Sequence, residues 1–447
     1  MKGKKLDLLF LCLCAALCLV LSLGTALFGP SQARANEILA AAPKLKSADG
    51  LNTGFLSDVS DWLSDRFFLR QELVTVHNRA LTALGGGAAN DVIAGKDGWL
   101  YYAPTLDDYT GVGAMNASEL AAAARNLSLM RQSLAEKGVG FLFVPVPNKN
   151  SLYDAAMPSC GEKAAEHDAE RLLRLLEAEG VPCADLFSAF RAQPETLYFA
   201  HDSHWNSRGA ALAADEIDRC LGRESDYFSA DFSGKTAHAG DLYEMRYPAG
   251  TDGETDLVYG GTLDYVREGT DTRPDAITIN TSGGGEGTLL MFRDSFGNSL
   301  YPYLADSFGS ARFSRATAYD LTLAGKLGAD CVVVELVERN LRYLLRFTPL
   351  TPAPVREEPP YAASDGGAVA LTVSAPGQAP EGCSLFRGTL PAELAGARVL
   401  LCAGGAAREA FTDGAGGFSA WLPSDFSPES VLALDENGAA RFRAVLP

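Results

Sequence analysis

The longest apolar run of the chain extends from Leu8 to Phe28 and follows three lysines within residues 1–5. Its 21 residues, at about 1.5 Å of helical rise each, are enough to cross a hydrocarbon core of roughly 30 Å. The run exceeds the apolar region of about 7–15 residues in secretory signals, so it favours a retained membrane anchor within residues 1–30. Ala33-Arg34-Ala35 resembles a cleavage site, which makes secretion after Ala35 the alternative. In both cases the lysines predict that the rest of the chain is extracytoplasmic.

After the anchor, residues 31–54 are rich in Ala, Ser and Gly without a strong period, and we interpret them as a stalk. From Ser57 to Leu84, apolar residues recur at helical spacing, which predicts an amphipathic helix that ends at Gly85. Such a helix could lie on a membrane surface. Its acidic residues favour packing against the protein instead; they are Asp58, Asp61, Asp65 and Glu72.

Between residues 92 and 336, strand-like and helix-like patterns alternate. Strands are predicted at 92–102 (a hairpin), 141–146, 182–187, 276–279, 289–292, 311–317 and 331–336, and helices at 118–137, 162–179, 207–221 and 300–308. The segment 141–146 is continuously apolar, which is typical of a parallel sheet covered on both faces. This order predicts an α/β domain at 55–347, built as a three-layer α/β/α sandwich with a parallel sheet. The Gly- and Asp-rich residues 226–287 are interpreted as an insertion.

The C-terminal fifth has a different pattern. Residues 348–360 are rich in proline and predict a stiff linker. Residues 361–447 contain short apolar runs separated by Gly, Pro and Asp, which predict a small all-β, sandwich-like module. Its aromatic residues are interpreted as structural, with sugar binding as the alternative; they are Phe411, Phe418 and Trp421.

The formal charge of the chain is −18, and residues 1–30 carry three lysines and one aspartate, so the exported part has a charge of −20. Nucleic-acid binding needs a basic face, so this acidity argues against it. An anionic polymer would need a local basic groove, for which Arg293, Lys149 and Arg208 are the candidates. Arg208 is better explained as a solvated surface charge.

Nine cysteines are present, of which Cys12, Cys14 and Cys18 lie in the apolar run. The other six permit disulfides in an exported chain. We predict the pairs Cys383–Cys402 and Cys160–Cys183, and a buried free thiol at Cys331. Since no Cys-x-x-Cys motif occurs, a metal cluster is not expected.

A candidate nucleophile follows the strand at 289–292. The strand ends at Arg293-Asp294-Ser295, and a helix is predicted to begin soon after Gly297. A serine at such a turn stands at the edge of the sheet, and the backbone N–H groups of Ser295–Gly297 would face an oxyanion formed there. The alternative is an ordinary strand–helix turn with a capping serine.

A candidate base lies in Asp202-Ser203-His204-Trp205. In an extended segment, Asp202 and His204 would project to the same side, so the carboxylate would hold one tautomer of the imidazole. Of the other histidines, His77 and His167 lie in helix-like runs and His238 lies in a Gly/Ala-rich loop, which leaves His204 as the base. A metal site formed by His201, Asp202 and His204 is the alternative.

Asp202-Ser203-His204-Trp205 and Phe292-Arg293-Asp294-Ser295-Phe296-Gly297 resemble the bacterial DHHW family and the AlgJ/AlgX-type alginate O-acetyltransferase proteins. The same pattern includes Gly95-Lys96-Asp97-Gly98-Trp99, Val144-Pro145-Val146-Pro147-Asn148-Lys149 and Asp65-Arg66-Phe67. The resemblance covers roughly residues 55–345. It departs at Ser203, where the family name implies a second histidine, and at Arg293, which replaces a glycine.

The resemblance implies an SGNH-hydrolase-like fold with a Ser295–His204–Asp202 triad. It implies O-acetylation of an exported polysaccharide, with acetyl groups supplied by a membrane-bound O-acyltransferase partner. No cofactor or metal is expected. We predict that Arg293, Lys149, Asn148, Trp205 and Asp241 line the substrate site. The alternative function is a non-catalytic polysaccharide-binding or envelope scaffold.

Overall fold

The computed structural model describes residues 2–32, 39–47, 50–361, 369–374, 377–435 and 437–446. The α-helices of these residues, α1 to α13, are Lys2–Phe28, Phe55–Ser64, Arg70–Ala83, Leu106–Thr110, Ala117–Ala135, Lys149–Leu152, Asp168–Ala178, Leu186–Arg191, Ser207–Cys220, Asp241–Arg246, Gly297–Ser307, Thr322–Leu327 and Tyr343–Arg346. The strands, β1 to β22, are Lys46–Ser47, Gly50–Leu51, Ala88–Ala89, Val92–Ala94, Leu100–Tyr102, Gly140–Val146, Gly234–Ala237, Thr255–Val258, Val266–Glu268, Thr278–Ser282, Thr288–Phe292, Ser310–Ser314, Cys331–Val337, Val355–Glu357, Leu371–Ser374, Cys383–Thr389, Arg398–Ala403, Ala406–Glu409, Phe411–Thr412, Gly417–Pro423, Ser430–Leu434 and Ala440–Val445.

Helix α1 contains Asp7–Phe28, a segment that is long and apolar enough to cross a membrane. The predicted cleavage position at Ala35 lies outside the described residues. Parts of the predicted stalk have regular structure or contact the folded chain. Within it β1 pairs with β2, and the backbone N–H of Ala40 donates to Asp65 of the following domain at 2.6 Å.

The single helix predicted from Ser57 to Leu84 is wrong, because the chain forms α2 and α3 with a turn at 65–69. Leu69 has a left-handed backbone (φ 64°), which interrupts the helix. The expected packing of an apolar face against the protein is also wrong. α2 buries no residue, and α3 buries the polar residues Gln71, Thr75 and Asn78. These polar groups have partners inside the fold; for example, Nδ2 of Asn78 donates to the Arg246 carbonyl at 2.7 Å.

The central sheet has six strands in the order β6-β13-β11-β12-β10-β9. β6, β13, β11 and β12 are parallel, as predicted, but β10 and β9 are antiparallel to their neighbours, so the sheet is mixed. A parallel connection needs a crossover of about a dozen residues. The chain between Ser282 and Thr288 is too short for one. Residues of the predicted insertion therefore form the edge of the sheet.

Alternate residues of the parallel strands enter two different hydrophobic clusters. Leu142 and Val144 of β6 join a cluster with residues of α9 and α11, whereas Phe141 and Phe143 join a cluster with residues of α5 and α7. Helices thus contribute to the core on both faces of the sheet. This burial explains why the strand sequences are continuously apolar rather than alternating.

Several local boundaries differ from the predictions. The hairpin at 92–102 is confirmed, since β4 pairs with β5. The strand predicted at 182–187 is a single bridge between Cys183 and Phe143, because α8 begins at Leu186 with Asp185 as its N-cap. The helix predicted at 118–137 is α5, Ala117–Ala135, which is capped by Asn116 in a capping box with Glu119.

The C-terminal region contains two antiparallel sheets, β14-β18-β17-β21-β22 and β15-β16-β20-β19. The predicted linker at 348–360 is not free, since β14 lies within it and pairs with β18. All nine cysteines are free. The predicted Cys383–Cys402 pair is wrong because its members lie in β16 and β17, which belong to different sheets. The Cys160–Cys183 pair is also wrong, whereas Cys331 is buried as expected.

Candidate active site

Ser295 lies in the turn between β11 and α11, at the carboxyl edge of the parallel strands. Asp294 holds this turn: its Oδ1 accepts the N–H of Phe296 at 2.9 Å, and its Oδ2 accepts the N–H of Val337 at 2.8 Å. The Phe296 N–H is therefore engaged. Of the predicted oxyanion donors, this leaves the N–H groups of Ser295 and Gly297.

The structure brings Ser295 to His204, with 2.8 Å between Oγ and Nε2. Nδ1 of His204 donates to Oδ1 of Asp202 at 2.6 Å. The segment is a bend rather than the predicted extended strand, because the same Oδ1 also accepts the His204 backbone N–H at 3.0 Å. An aspartate that bonds to the backbone two residues ahead forms a turn of this kind. The bridge between Tyr198 and Trp205 closes the loop.

The opposite charges of Asp202 and His204 shift the pKa values of both groups against the effect of burial. Burial alone raises the pKa of Asp202, but the charge and hydrogen bond of His204 bring it well below its usual value. Burial lowers the pKa of His204, but the charge of Asp202, its hydrogen bond to the ring and the charge of Asp241 together exceed this effect, so the pKa of the imidazole is raised. An ionised carboxylate beside a basic imidazole is the arrangement that stabilises an imidazolium.

A second histidine, His238, also contacts Asp202 and was missed by the sequence analysis. Its Nε2 donates to Oδ2 of Asp202 at 2.9 Å, and its ring stacks on Phe199 with centroids 3.7 Å apart. The Gly/Ala-rich sequence around His238 carries no signal of this role. The scarcity of histidines in the chain was the one available hint.

Asp241 lies next to the carboxylate of Asp202 and borders the cleft, where it was predicted. Its backbone N–H donates to Oδ2 of Asp202 at 3.1 Å. Its side chain accepts the backbone N–H of Ser203 at 2.8 Å and the Ser203 hydroxyl at 2.6 Å. Burial and the nearby charge of Asp202 raise the pKa of Asp241. Ser203, at the position of the family's second histidine, thus fastens the loop to α10.

Lys149 does not face the cleft, contrary to the prediction. Its buried Nζ donates to the carbonyls of Phe199, Ala200 and Asp202 at 3.1, 3.0 and 2.6 Å. Burial lowers its pKa to about 7. Lys149 follows β6 as predicted, but its ammonium holds the loop that carries Asp202 instead of facing the cleft.

Three other predicted contacts are also structural. Asn148 is buried, and its backbone N–H donates to Glu338 at 2.9 Å. Arg293 is buried and donates to the carbonyls of Asp294, Pro274 and Ala276 and to Asn298. Trp205 is almost completely buried and donates to the Ser299 hydroxyl at 2.8 Å, although part of it borders the cleft. These side chains were predicted at the right edge of the sheet, but they point into the fold.

A cleft of about 460 Å³ lies over Ser295 and His204. Residues of the predicted insertion line one side; they are His238, Asp241, Asp256, Pro274 and Asp275. Arg315 is the one arginine or lysine among the described lining residues, so the expected basic groove is not found at this cleft.

The alternative metal site does not form as proposed. His201 turns away from His204, and its Nδ1 lies 2.7 Å from Oδ1 of Asp252. The nearby carboxylates already accept backbone N–H groups: Glu254 accepts those of Ala200 and His201, and Asp252 accepts that of Gly240. The donor set is thus engaged in holding the loop.

Residues 92–255 match a family described as the SGNH hydrolase-like domain of acetyltransferase AlgX. A search of curated proteins found no match. Among solved structures, the chain resembles a DHHW family protein from Eubacterium siraeum (17% identity, 59% of this chain and 97% of that chain, TM-score 0.46). It also resembles Bacillus cereus PatB1 with a sulfonyl adduct (20%, 57% and 96%, TM-score 0.44) and the O-acetyltransferase domain of Pseudomonas putida AlgJ (17%, 56% and 91%, TM-score 0.38). The resemblance predicted from the sequence is confirmed, and the chain contains an SGNH-hydrolase-like domain with a mixed sheet and helices.

Proposed function

We propose that this protein is an extracytoplasmic, serine-dependent O-acetyltransferase or acetylesterase that acts on an exported or cell-surface polysaccharide. The observation that carries the proposal is the continuous set of contacts from Ser295 Oγ to His204 Nε2 at 2.8 Å and from His204 Nδ1 to Asp202 at 2.6 Å. The match of residues 92–255 to a family named for an acetyltransferase supports the same reaction class.

In the proposed reaction, His204 accepts the Ser295 proton while Oγ attacks the carbonyl carbon of an acetyl ester. The N–H groups of Ser295 and Gly297 stabilise the oxyanion, and Asp202 stabilises the imidazolium. The ester bond of the donor then breaks, and its alcohol leaves with the proton from His204. A sugar hydroxyl or water, deprotonated by His204, attacks the acetyl-serine and regenerates the enzyme. Transfer and hydrolysis thus share every residue and differ in the final acceptor.

The remaining parts of the chain are assigned within this proposal. Helix α1 anchors the protein, unless cleavage after Ala35 releases it, and a membrane-bound O-acyltransferase supplies the acetyl group. Residues 55–347 form the catalytic domain as a three-layer α/β/α arrangement, supported by the two clusters on the faces of its sheet. Residues 361–447, together with β14, form an accessory module.

Labelling with a fluorophosphonate, together with hydrolysis of p-nitrophenyl acetate, tests the proposal. We expect Ser295→Ala to abolish labelling and to lower hydrolysis by roughly 10³-fold or more. The matched control is Ser233→Ala, which changes an exposed serine of the predicted insertion and should keep both signals. Undiminished labelling in Ser295→Ala would overturn the assignment of the nucleophile.

Two further results separate the remaining alternatives. If oligosaccharide acceptors suppress the release of free acetate and become acetylated themselves, the reaction is transfer. If the folded protein is neither labelled nor active, the scaffold function is what remains.

A further inference from the structure

Helix α3 has its polar side inside the protein and its apolar side outside. The buried side chains Gln71, Thr75 and Asn78 lie on one face. The opposite face carries Leu69, Leu73, Val76, Ala80 and Leu84, which recur at intervals of three and four residues and are all exposed. Val76 is 66% exposed and Leu84 is 85% exposed. A helix on the surface of a water-soluble domain normally has the reverse arrangement.

Helix α2 adds to this apolar surface. It buries no residue, and Leu56 and Leu63, two turns apart on one face, are both exposed. We call the six residues Leu56, Leu63, Leu69, Leu73, Val76 and Leu84 the apolar stripe. Exposed apolar residues in this number on two successive helices mark a surface that meets another apolar phase or partner.

The turn between α2 and α3 is attached to the end of the membrane-spanning segment. The ring of Phe68 packs directly against Gly24: a Cβ added at residue 24 would lie 2.2 Å from the ring. The same ring stacks on Phe28, with ring centroids 5.2 Å apart. The backbone N–H of Phe68 donates to Thr25 Oγ1 at 2.9 Å, and that of Ser31 donates to the Arg66 carbonyl. Since Gly24, Thr25 and Phe28 belong to the segment Asp7–Phe28, the turn must lie at the level of the lipid.

We infer that α2 and α3 lie on the outer surface of the membrane, with the apolar stripe inserted at the boundary between headgroups and acyl chains. This inference rests on the proposed membrane anchoring by α1. The occupant is a lipid surface because the exposed apolar residues of α1 continue directly into the turn between the two helices. Residues 55–84 carry four acidic and three arginine side chains, so insertion does not depend on anionic lipid.

Docking of α3 would also fix the orientation of the cleft. Asn78 Nδ2 donates to the carbonyl of Arg246, and Thr82 Oγ1 accepts from the Arg246 guanidinium at 2.9 Å. Arg246 ends α10, the helix that begins at Asp241 in the cleft. Lipid-bound α3 and the cleft are therefore joined through one short helix, whose residues Leu242 and Arg246 are buried.

Photocrosslinking of the full-length chain in phosphatidylcholine vesicles tests the inference. p-Benzoylphenylalanine is placed at Val76 or, in a second variant, at Leu56. The matched control is Val266, a valine with nearly the same exposure (65%) in β9 at the edge of the central sheet. The positive control is Leu13 within α1. We expect lipid adducts at Val76, Leu56 and Leu13, and at least fivefold less adduct at Val266.

Crosslinks between two copies of the chain through Val76 would overturn the inference, because the stripe would then be a protein interface. Equal adducts at Val76 and Val266, or adducts at Leu13 alone, would overturn it as well. Fluorophosphonate labelling of Ser295 is measured on the same vesicles. A labelled protein without stripe adducts refutes lipid docking alone, whereas stripe adducts without labelling refute the proposed nucleophile alone.

Discussion

The carboxylate of Asp202 lies between two imidazoles, with Oδ1 2.6 Å from Nδ1 of His204 and Oδ2 2.9 Å from Nε2 of His238. Both oxygens are thus held from different parts of the chain. His238 does not contact Ser295 in this arrangement, so we regard it as a positioning residue for the carboxylate.

We expect His238→Leu to lower the kcat for p-nitrophenyl acetate by roughly 10-fold to 100-fold, with little change in KM. The substitution removes a hydrogen bond to a charged group, which contributes about 1.5–3 kcal/mol. His238→Gln keeps an N–H donor and should recover most of the activity. If both variants lose activity equally, the ring contributes through its stacking on Phe199 rather than through Asp202.

The acid limb of the pH–rate profile should lie above pH 6.5. His204 must be neutral to accept the Ser295 proton, and its pKa is raised because the charge and hydrogen bond of Asp202, with the charge of Asp241, together outweigh burial. In Asp202→Asn the charge is gone, so the limb should move toward lower pH while the plateau rate falls roughly 10⁴-fold. An acid limb that is the same in both proteins would assign it to another group.

We expect Lys149→Met to destabilise the loop at 198–205. Methionine lacks the ammonium, so the cation–π contacts with Trp99 and Tyr101 are lost. The carbonyls of Phe199 and Asp202 lose their donor, whereas that of Ala200 keeps the N–H of Leu100. Each unsatisfied buried group costs about 1–3 kcal/mol. Faster amide hydrogen exchange confined to this loop, with partial rescue by Lys149→Arg, would support the role. Unchanged exchange would show that the ammonium is dispensable.

Glu338 should make the protein less stable as the pH rises. Burial raises its pKa to about 8, despite hydrogen bonds from Ser151 and Asn148. Because the folded pKa is above the unfolded value, its contribution is fully present below about pH 4.5 and is lost as the pH rises through 8. We expect Glu338→Gln to remove this loss, on the order of a few kcal/mol, in urea unfolding between pH 5 and 9. The exposed control Glu136→Gln should lose as much stability as the wild type over this pH range.

Glu409 joins the C-terminal region to the α/β domain. Its carboxylate accepts from Arg125 of α5 and from Arg356 and Arg398 of the C-terminal strands, at 2.7–3.2 Å. Burial raises its pKa, but the arginines exceed this effect and bring it to about 2. Since the folded pKa is depressed, the stabilisation is present above about pH 4.5 and is lost as the pH falls toward 2.

We therefore expect Glu409→Gln to lower the free energy of unfolding at pH 7 by about 3–5 kcal/mol, because it removes the buried carboxylate that three partly buried arginines share. The variant should also lose less stability than the wild type between pH 5 and 3. Thermal unfolding at both pH values measures this, with the exposed Glu381→Gln as the control. Equal stability at pH 7 would show that the arginines find other partners.

The sequence by itself determined the strands whose residues are buried on both faces. The runs at 141–146, 289–292 and 331–336 are continuously apolar, and the structure has β6, β11 and β13 there. Local motifs also identified the two segments that the fold brings together, around Ser295 and His204. Their catalytic roles stay predictions. Hydrophobic pattern and turn chemistry are properties of short segments, so these features were readable without the fold.

Only the tertiary structure decided where the polar groups point. Lys149 and Arg293 were expected to face substrate, but they are buried among carbonyls of segments distant in the chain. His238 reaches Asp202 across 36 residues, and α3 turns its polar face inward because Arg246 and Ala249 offer partners there. A buried polar group needs a partner, and the chain holds many candidates for each. Which of them comes within hydrogen-bond distance is determined by the packed fold and not by the local pattern.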